Sequence, residues 1–185
     1  FSSLYFLFFC LSIIFDIEDL LNKSKYSISK MIDKQKNKKY KEEKNIGYYL
    51  GNKIDIVFCN IVNEPKLEEN RLLVRNKKEL DKWYKKRCEI DFKILLDNIY
   101  NIIEEKIPYP KIKLRKMKSR WGVCNRKDNS ITLNIELIKY EQYIINYVIV
   151  HELVHFIHFN HSIKFWNTVG KYYPNYKVAR KKLKE

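Results

Sequence analysis

The sequence predicts a single mixed α+β domain behind an N-terminal appendage, on three observations. Short alternating or apolar runs, bounded by turn signals, occur before and between two long stretches of helical character. The first of these stretches is amphipathic and the second is apolar on most sides, as a surface helix and a core helix should be. With 185 residues, 45% of them hydrophobic, and only four glycines and four prolines, the chain can build one packed core but not two full domains.

The appendage is expected over residues 1–46 and the domain over residues 47–185. Phe1 to Phe15 (FSSLYFLFFCLSIIF) is almost continuously apolar, yet shorter than the roughly 20 residues a helix needs to cross a bilayer. It has no basic n-region and no A-x-A-like cleavage site. An anchor or signal remnant in contact with a membrane, a helix docked on the domain, and an artefact of the start all remain open. Asn22 to Asn45 is dominated by Lys and polar residues and reads as a flexible arm, because it cannot bury enough surface to offset its ordering entropy.

The domain opens with Tyr48 to Phe58, which reads as a hairpin turning at Gly51-Asn52. Arg71 to Val74 is a third short strand. From Glu79 to Glu105, Leu80, Trp83, Tyr84, Cys88, Phe92, Leu95, Leu96, Ile99 and Ile103 recur at helical spacing, and Pro108 and Pro110 stop the helix. Lys111 to Arg115 and Ser130 to Asn134 are the next strands, with turns at Trp121-Gly122 and Asp128-Asn129. Glu141 to Asn160 then runs without Gly or Pro as a helix through the middle of the domain. Its ionisable residues, His151, Glu152, His155 and His158, need a reason to be there.

Charge and cysteines bound the function. Lys and Arg number 37 against 22 Asp and Glu, a net +15, which favours polyanions such as nucleic acid as partners. The Lys-, Asn-, Ile- and Tyr-rich composition of an AT-rich genome would give the same excess. Cys10, Cys59, Cys88 and Cys124 form no C-x-x-C pair, so neither a disulfide framework nor a cysteine zinc ribbon is indicated. A reducing compartment fits them.

His151-Glu152-Leu153-Val154-His155 is an H-E-x-x-H motif on the core helix. The two histidines lie about 40° apart in projection and about 6 Å apart along the axis, so both rings can converge on one ion. Glu152 points to the side, where its carboxylate reaches a water without becoming a ligand. Of the two remaining histidines, His158 sits about 10 Å along the axis from His151, too far to share a metal. His161 can serve as third ligand if the helix breaks near Asn160, with Ser162 capping a new helix that carries Phe165 and Trp166. Arg115, Arg120 and Asn134 are candidate substrate contacts, and a structural corner built from Arg120 and Trp121 stays open beside that role. Cys124 is a further candidate ligand.

The run His151 to Trp166 (HELVHFIHFNHSIKFW) is preceded by Lys116 to Cys124 (KMKSRWGVC) and Thr132-Leu133-Asn134, and followed by Pro174-Asn175-Tyr176. In that order these motifs resemble the YgjP-like metallopeptidase family of zincins, over about Gly47 to Leu183. Val123 stands where the family usually has Ser. The resemblance implies an α+β zincin-like domain with a small, mainly antiparallel sheet. It also implies a zinc ion on His151, His155 and His161, Glu152 as the catalytic carboxylate, and a peptide or protein substrate. It suggests the cytoplasm, whereas the first 15 residues suggest a membrane or secretory route. Other readings are a zinc-dependent nucleotide phosphoanhydride hydrolase, a DNA-associated protease similar to the SprT-like and Wss1-like zincins, and a metal-stabilised module without activity.

Overall fold

A computed structural model describes residues 45–60 and 62–184. The apolar segment and nearly all of the Lys-rich arm lie outside the described residues. Strand β1 (Asn45–Tyr49) begins two residues ahead of Gly47 and pairs antiparallel with β2 (Asn52–Phe58). Their turn is Leu50-Gly51 rather than Gly51-Asn52. Both turn residues have positive φ, 48° and 82°, as a two-residue type I′ hairpin requires. Leucine is an uncommon occupant of that region. Here its N–H donates to the Ile138 carbonyl at 2.8 Å and its side chain packs against the core, so tertiary contact overrides turn preference.

The predicted third strand, β4 (Arg71–Val74), runs parallel to β2. A three-residue strand too short to show a period, β3 (Lys66–Glu68), completes a sheet of order β1-β2-β4-β3. Helix α1 (Lys77–Tyr100) starts where the Asn76 side chain accepts a hydrogen bond from the Glu79 N–H at 3.0 Å. Its apolar stripe is buried as the spacing predicts. The acid on that stripe, Asp91, accepts from the Tyr49 hydroxyl at 2.7 Å and from Arg87 at 2.9 Å, which ties α1 to β1. The helix ends at Tyr100 rather than Glu105. Ile107, before Pro108, is disfavoured in a helix, and the Tyr100 hydroxyl donates to the Ile107 carbonyl at 2.7 Å to fold the segment back.

Strands β5 (Lys111–Arg115) and β7 (Ser130–Asn134) fall where the sequence places them and are parallel neighbours. Between them in sequence, β6 (Gly122–Asn125) pairs antiparallel with the other side of β7, giving the order β5-β7-β6. Strand β7 is therefore central, with Ser130, Ile131, Leu133 and Asn134 buried on its two faces. The mixed α+β architecture expected from the sequence is present, with its strands divided between two small sheets.

A 3-10 turn (Ile135–Lys139) leads into helix α2 (Gln142–Val154). Nine of its thirteen residues are buried, which makes it the core helix. It packs against α1, β6, α3 (Ile163–Tyr172) and α4 (Tyr176–Lys182). Among the described residues no helix is long and apolar enough to cross a membrane.

Candidate active site

The core helix stops six residues earlier than its sequence suggests. Val154 is its last residue, His155 is the C-cap, and the His158 N–H still bonds the Val154 carbonyl at 2.8 Å. The chain then reverses and α3 begins at Ile163, with the Ser162 hydroxyl accepting from the Phe165 N–H at 3.4 Å. The early break has a local reason: it frees the His158 carbonyl to lie 3.3 Å from His155 Nδ1. A carbonyl can only accept, so Nδ1 carries the proton and Nε2 keeps its lone pair.

The reversal returns His161 to the end of α2. One ring nitrogen from each of His151, His155 and His161 lies within 4.8 Å of the others, and the Nε2 atoms of His151 and His161 are 3.0 Å apart. Burial first, and then the neighbouring imidazoles, push His151 down to about 3; burial also lowers His155. Neutral rings with available lone pairs are the result. His158 turns away, its Nε2 lying 3.0 Å from Thr168 Oγ1. Because the helix has already ended, the chain's reversal rather than helical distance separates it from the cluster. Cys124 is absent from the cluster, and burial pushes its thiol up to about 12, which leaves it protonated.

Aromatic rings fix the imidazoles. Phe165, fully buried, lies 4.7–4.9 Å from all three ring centroids. Trp166 stacks on His161 at 5.7 Å, and Tyr176 stacks on Trp166 at 5.4 Å. The F-W pair and the later P-x-Y thus form one column behind the third histidine.

Glu152 is buried on the β6 side of α2. Its carboxylate accepts from the Cys124 N–H and lies so close to Gly122 that a Cβ there would meet Oε1 at 2.5 Å. Burial pushes its pKa up to about 8, against the smaller lowering effects of the Cys124 N–H and the Arg120 charge. Glu152 and the three histidines line one cleft of about 880 Å³.

The three candidate substrate residues separate. Arg120 lines the cleft, whereas Arg115, exposed on β5, does not. Asn134 is not in the cleft either. Its Nδ2 donates to the Met117 and Arg120 carbonyls at 2.8 and 3.0 Å, and its Oδ1 accepts from the Met117 and Glu136 N–H groups at 3.3 and 3.2 Å. Both donors and both acceptor positions of the amide are engaged in holding the 117–120 loop and the turn after it. Trp121 is a structural corner: its indole donates to the Leu183 carbonyl at 3.3 Å, and its ring meets Tyr140 edge-on. Two further cleft residues, Tyr147 and Arg180, escaped sequence reasoning. Tyr147 reads as one more core residue of α2, and Arg180 as one of many cations near the C-terminus.

A sequence model of the YgjP-like metallopeptidase domain matches residues 14–185. The chain belongs to the YgjP-like metallopeptidase family. Membership makes it a hydrolytic enzyme of the metallopeptidase class, implies a metal, and suggests a peptide or protein as substrate. Two solved structures are similar over 50% of this chain. They are the metallopeptidase zymogens abylysin of Pyrococcus abyssi (26% identity, TM-score 0.46, 90% of its length) and jannalysin of Methanocaldococcus jannaschii (28%, 0.40, 91%). No curated protein matches the chain.

Proposed function

We propose that this YgjP-like protein is a zinc-dependent peptidase in which His151, His155 and His161 hold the metal and Glu152 is the general base. The convergence of three imidazole nitrogens beside one buried carboxylate supports this reading. The donor set fits the ion: three imidazole nitrogens suit zinc, and this count leaves a position open for reaction. Zinc held there supplies a Lewis acid that polarises a carbonyl and acidifies a water.

The protein's own groups perform the rest. The His155 Nδ1–H bond to the His158 carbonyl aims Nε2 at the cluster, and Phe165 and Trp166 keep the rings from swinging. Glu152 is held by the Cys124 N–H beside, and outside, the histidine set. Burial alone would leave Glu152 largely protonated at neutral pH; the charge of a cation held by the three histidines would favour its ionised form, which accepts the proton of the attacking water. It then delivers that proton to the leaving amine.

Zinc content and peptide turnover of Glu152→Gln, together with zinc content of each His→Ala variant, test the proposal. Glu152→Gln should keep zinc and lose about 10²–10⁴ in turnover. Alanine at 151, 155 or 161 should lose zinc, and His158→Ala should keep it. A fully active Glu152→Gln would remove Glu152 from the chemistry. Phosphate release from nucleotides without peptide cleavage would move the activity to a phosphoanhydride bond.

A further inference from the structure

The cleft above the histidines is lopsided in charge. Arg120, Arg126, Lys127, Arg180 and Lys184 line it, and Glu152 is the only carboxylate among its lining residues. None of these five cations is ion-paired among the described residues, whereas Lys93, Lys113 and Lys171 each have an acidic partner elsewhere on the surface. A chain of charge +15 has many solvated lysines, so number alone proves little. Two of the arginines, Arg120 and Arg180, come from segments fixed by the packing around the site.

Arg180 projects from α4 over the face of Trp166, with its guanidinium carbon 4.6 Å from the ring centroid. That ring also stacks with His161 and with Tyr176. A guanidinium resting on an aromatic face keeps its N–H edge free for a ligand. Arg180 lines the same cleft as the three histidines and Tyr147. Arg120 comes from the loop before β6, where Asn134 fixes its carbonyl at 3.0 Å, and it lines the same cleft as Glu152. The two arginines therefore come from different elements and line the one cleft that holds Glu152 and the histidines.

We infer that Arg120 and Arg180 receive a carboxylate of the substrate, so that the enzyme selects peptides carrying negative charge beside the bond to be cut. The inference rests on the peptidase reading above. A guanidinium offers two parallel N–H donors that match a carboxylate, and such charge-assisted pairs outweigh the weak attraction of a mobile lysine. The carboxylate has two possible sources, an Asp or Glu side chain or the C-terminus of a short peptide.

The test compares peptides that differ only by Asp, Asn or Lys beside the cleaved bond, each with a free or an amidated C-terminus. Zinc-loaded wild type, Arg180→Gln, Arg180→Lys and Arg120→Gln are assayed for kcat/KM. Wild type should prefer the anionic peptide by about tenfold or more, Arg180→Gln should bring the ratio near one, and Arg180→Lys should keep part of it. Loss of preference on amidation assigns the C-terminus; loss on changing Asp to Asn in amidated peptides assigns the side chain. Should Arg180→Gln fold poorly, Arg120→Gln decides.

Calorimetric binding of the same peptides to Glu152→Gln, at about 0.05 M and about 0.5 M salt, gives a readout independent of turnover. Equal kcat/KM for all charges, or a ratio unmoved by both arginine variants, overturns the carboxylate site and leaves the peptidase reading standing. Salt-sensitive binding of the acidic peptide without cleavage keeps the site and overturns the peptidase reading. Neither cleavage nor binding overturns both.

Discussion

Glu152 and Gly122 touch across the packing of α2 on β6: a Cβ on Gly122 would lie 2.5 Å from Glu152 Oε1, 2.7 Å from Cγ and 2.8 Å from Cδ. The carboxylate occupies the space that any other residue at 122 would fill. Gly122→Ala should therefore displace Glu152 and leave the histidines alone. A displacement of about 1 Å in a catalytic group costs on the order of 100-fold. We expect turnover to fall by about that factor with zinc content unchanged. Wild-type turnover in the alanine variant would show that Glu152 can sit elsewhere and still work.

The column His161, Trp166, Tyr176 gives a second prediction. His161 is the one exposed member of the histidine cluster, and the indole face holds its ring. Outer residues that orient a metal ligand typically contribute 10–100-fold in affinity. Trp166→Ala should therefore weaken zinc binding by about 10–100-fold, measured by competition with a chelator, while Tyr176→Phe keeps the stack and the affinity. Unchanged zinc affinity in Trp166→Ala would mean that the reversal after α2 positions His161 without the ring.

The metal-free protein should carry a pH signature of Glu152. Burial raises its folded pKa to about 8 from an ordinary 4.5. Between those values the folded chain keeps a proton that the unfolded chain has released, so stability falls as pH rises through the window. His151 works in the opposite direction. Its folded pKa of about 3 lies below the ordinary 6.5, so stability falls as pH drops from 6.5 towards 3. Glu152→Gln cannot ionise, and in excess chelator its melting temperature should gain on wild type progressively from about pH 5 to about pH 8. A difference constant across that range would show that Glu152 ionises freely in the fold.

Where residue spacing carried the physics, the fold was legible. Strand β5 falls on its alternating run, β4 and β7 on their short apolar runs, and the buried stripe of α1 follows its periodicity. The misses were decided by distant contacts. Leu50 accepts a left-handed conformation because the Ile138 carbonyl, far along the chain, holds its N–H. The core helix stops at Val154 because the His158 carbonyl turns to His155, and no Gly or Pro announces it. The histidine cluster survived this error, since a break anywhere between His155 and Ser162 can return His161 to the same end of α2. The cleft was less legible: Arg115 and Asn134 share a strand register, Arg115 opposite Asn134, yet neither lines it.

Asn134, a residue of the family motif, engages its whole side-chain amide in holding the neighbouring loop. Only 2% exposed, it bridges the Met117 and Arg120 carbonyls on one side and the Met117 and Glu136 N–H groups on the other. Its backbone N–H also donates to the Trp121 carbonyl at 2.9 Å, so one residue fastens most of the 117–121 loop. Asn134→Ala leaves two carbonyls and two N–H groups to find other partners. An unsatisfied buried group costs about 1–3 kcal/mol, and groups near the loop surface regain water, so a loss of about 2–4 kcal/mol is expected from urea unfolding. Asn134→Asp separates the two ends of the amide. It keeps an acceptor for the N–H groups but sets a carboxylate oxygen against the Met117 and Arg120 carbonyls, and it should be at least as destabilising as alanine. Both variants should retain zinc, because no histidine of the cluster touches the loop's hydrogen bonds. Both should raise KM more than they lower kcat, since the loop carries Arg120 to the cleft. If Asn134→Asp were as stable as wild type, the amide would be oriented the other way round and the 117–121 loop would be held by something else.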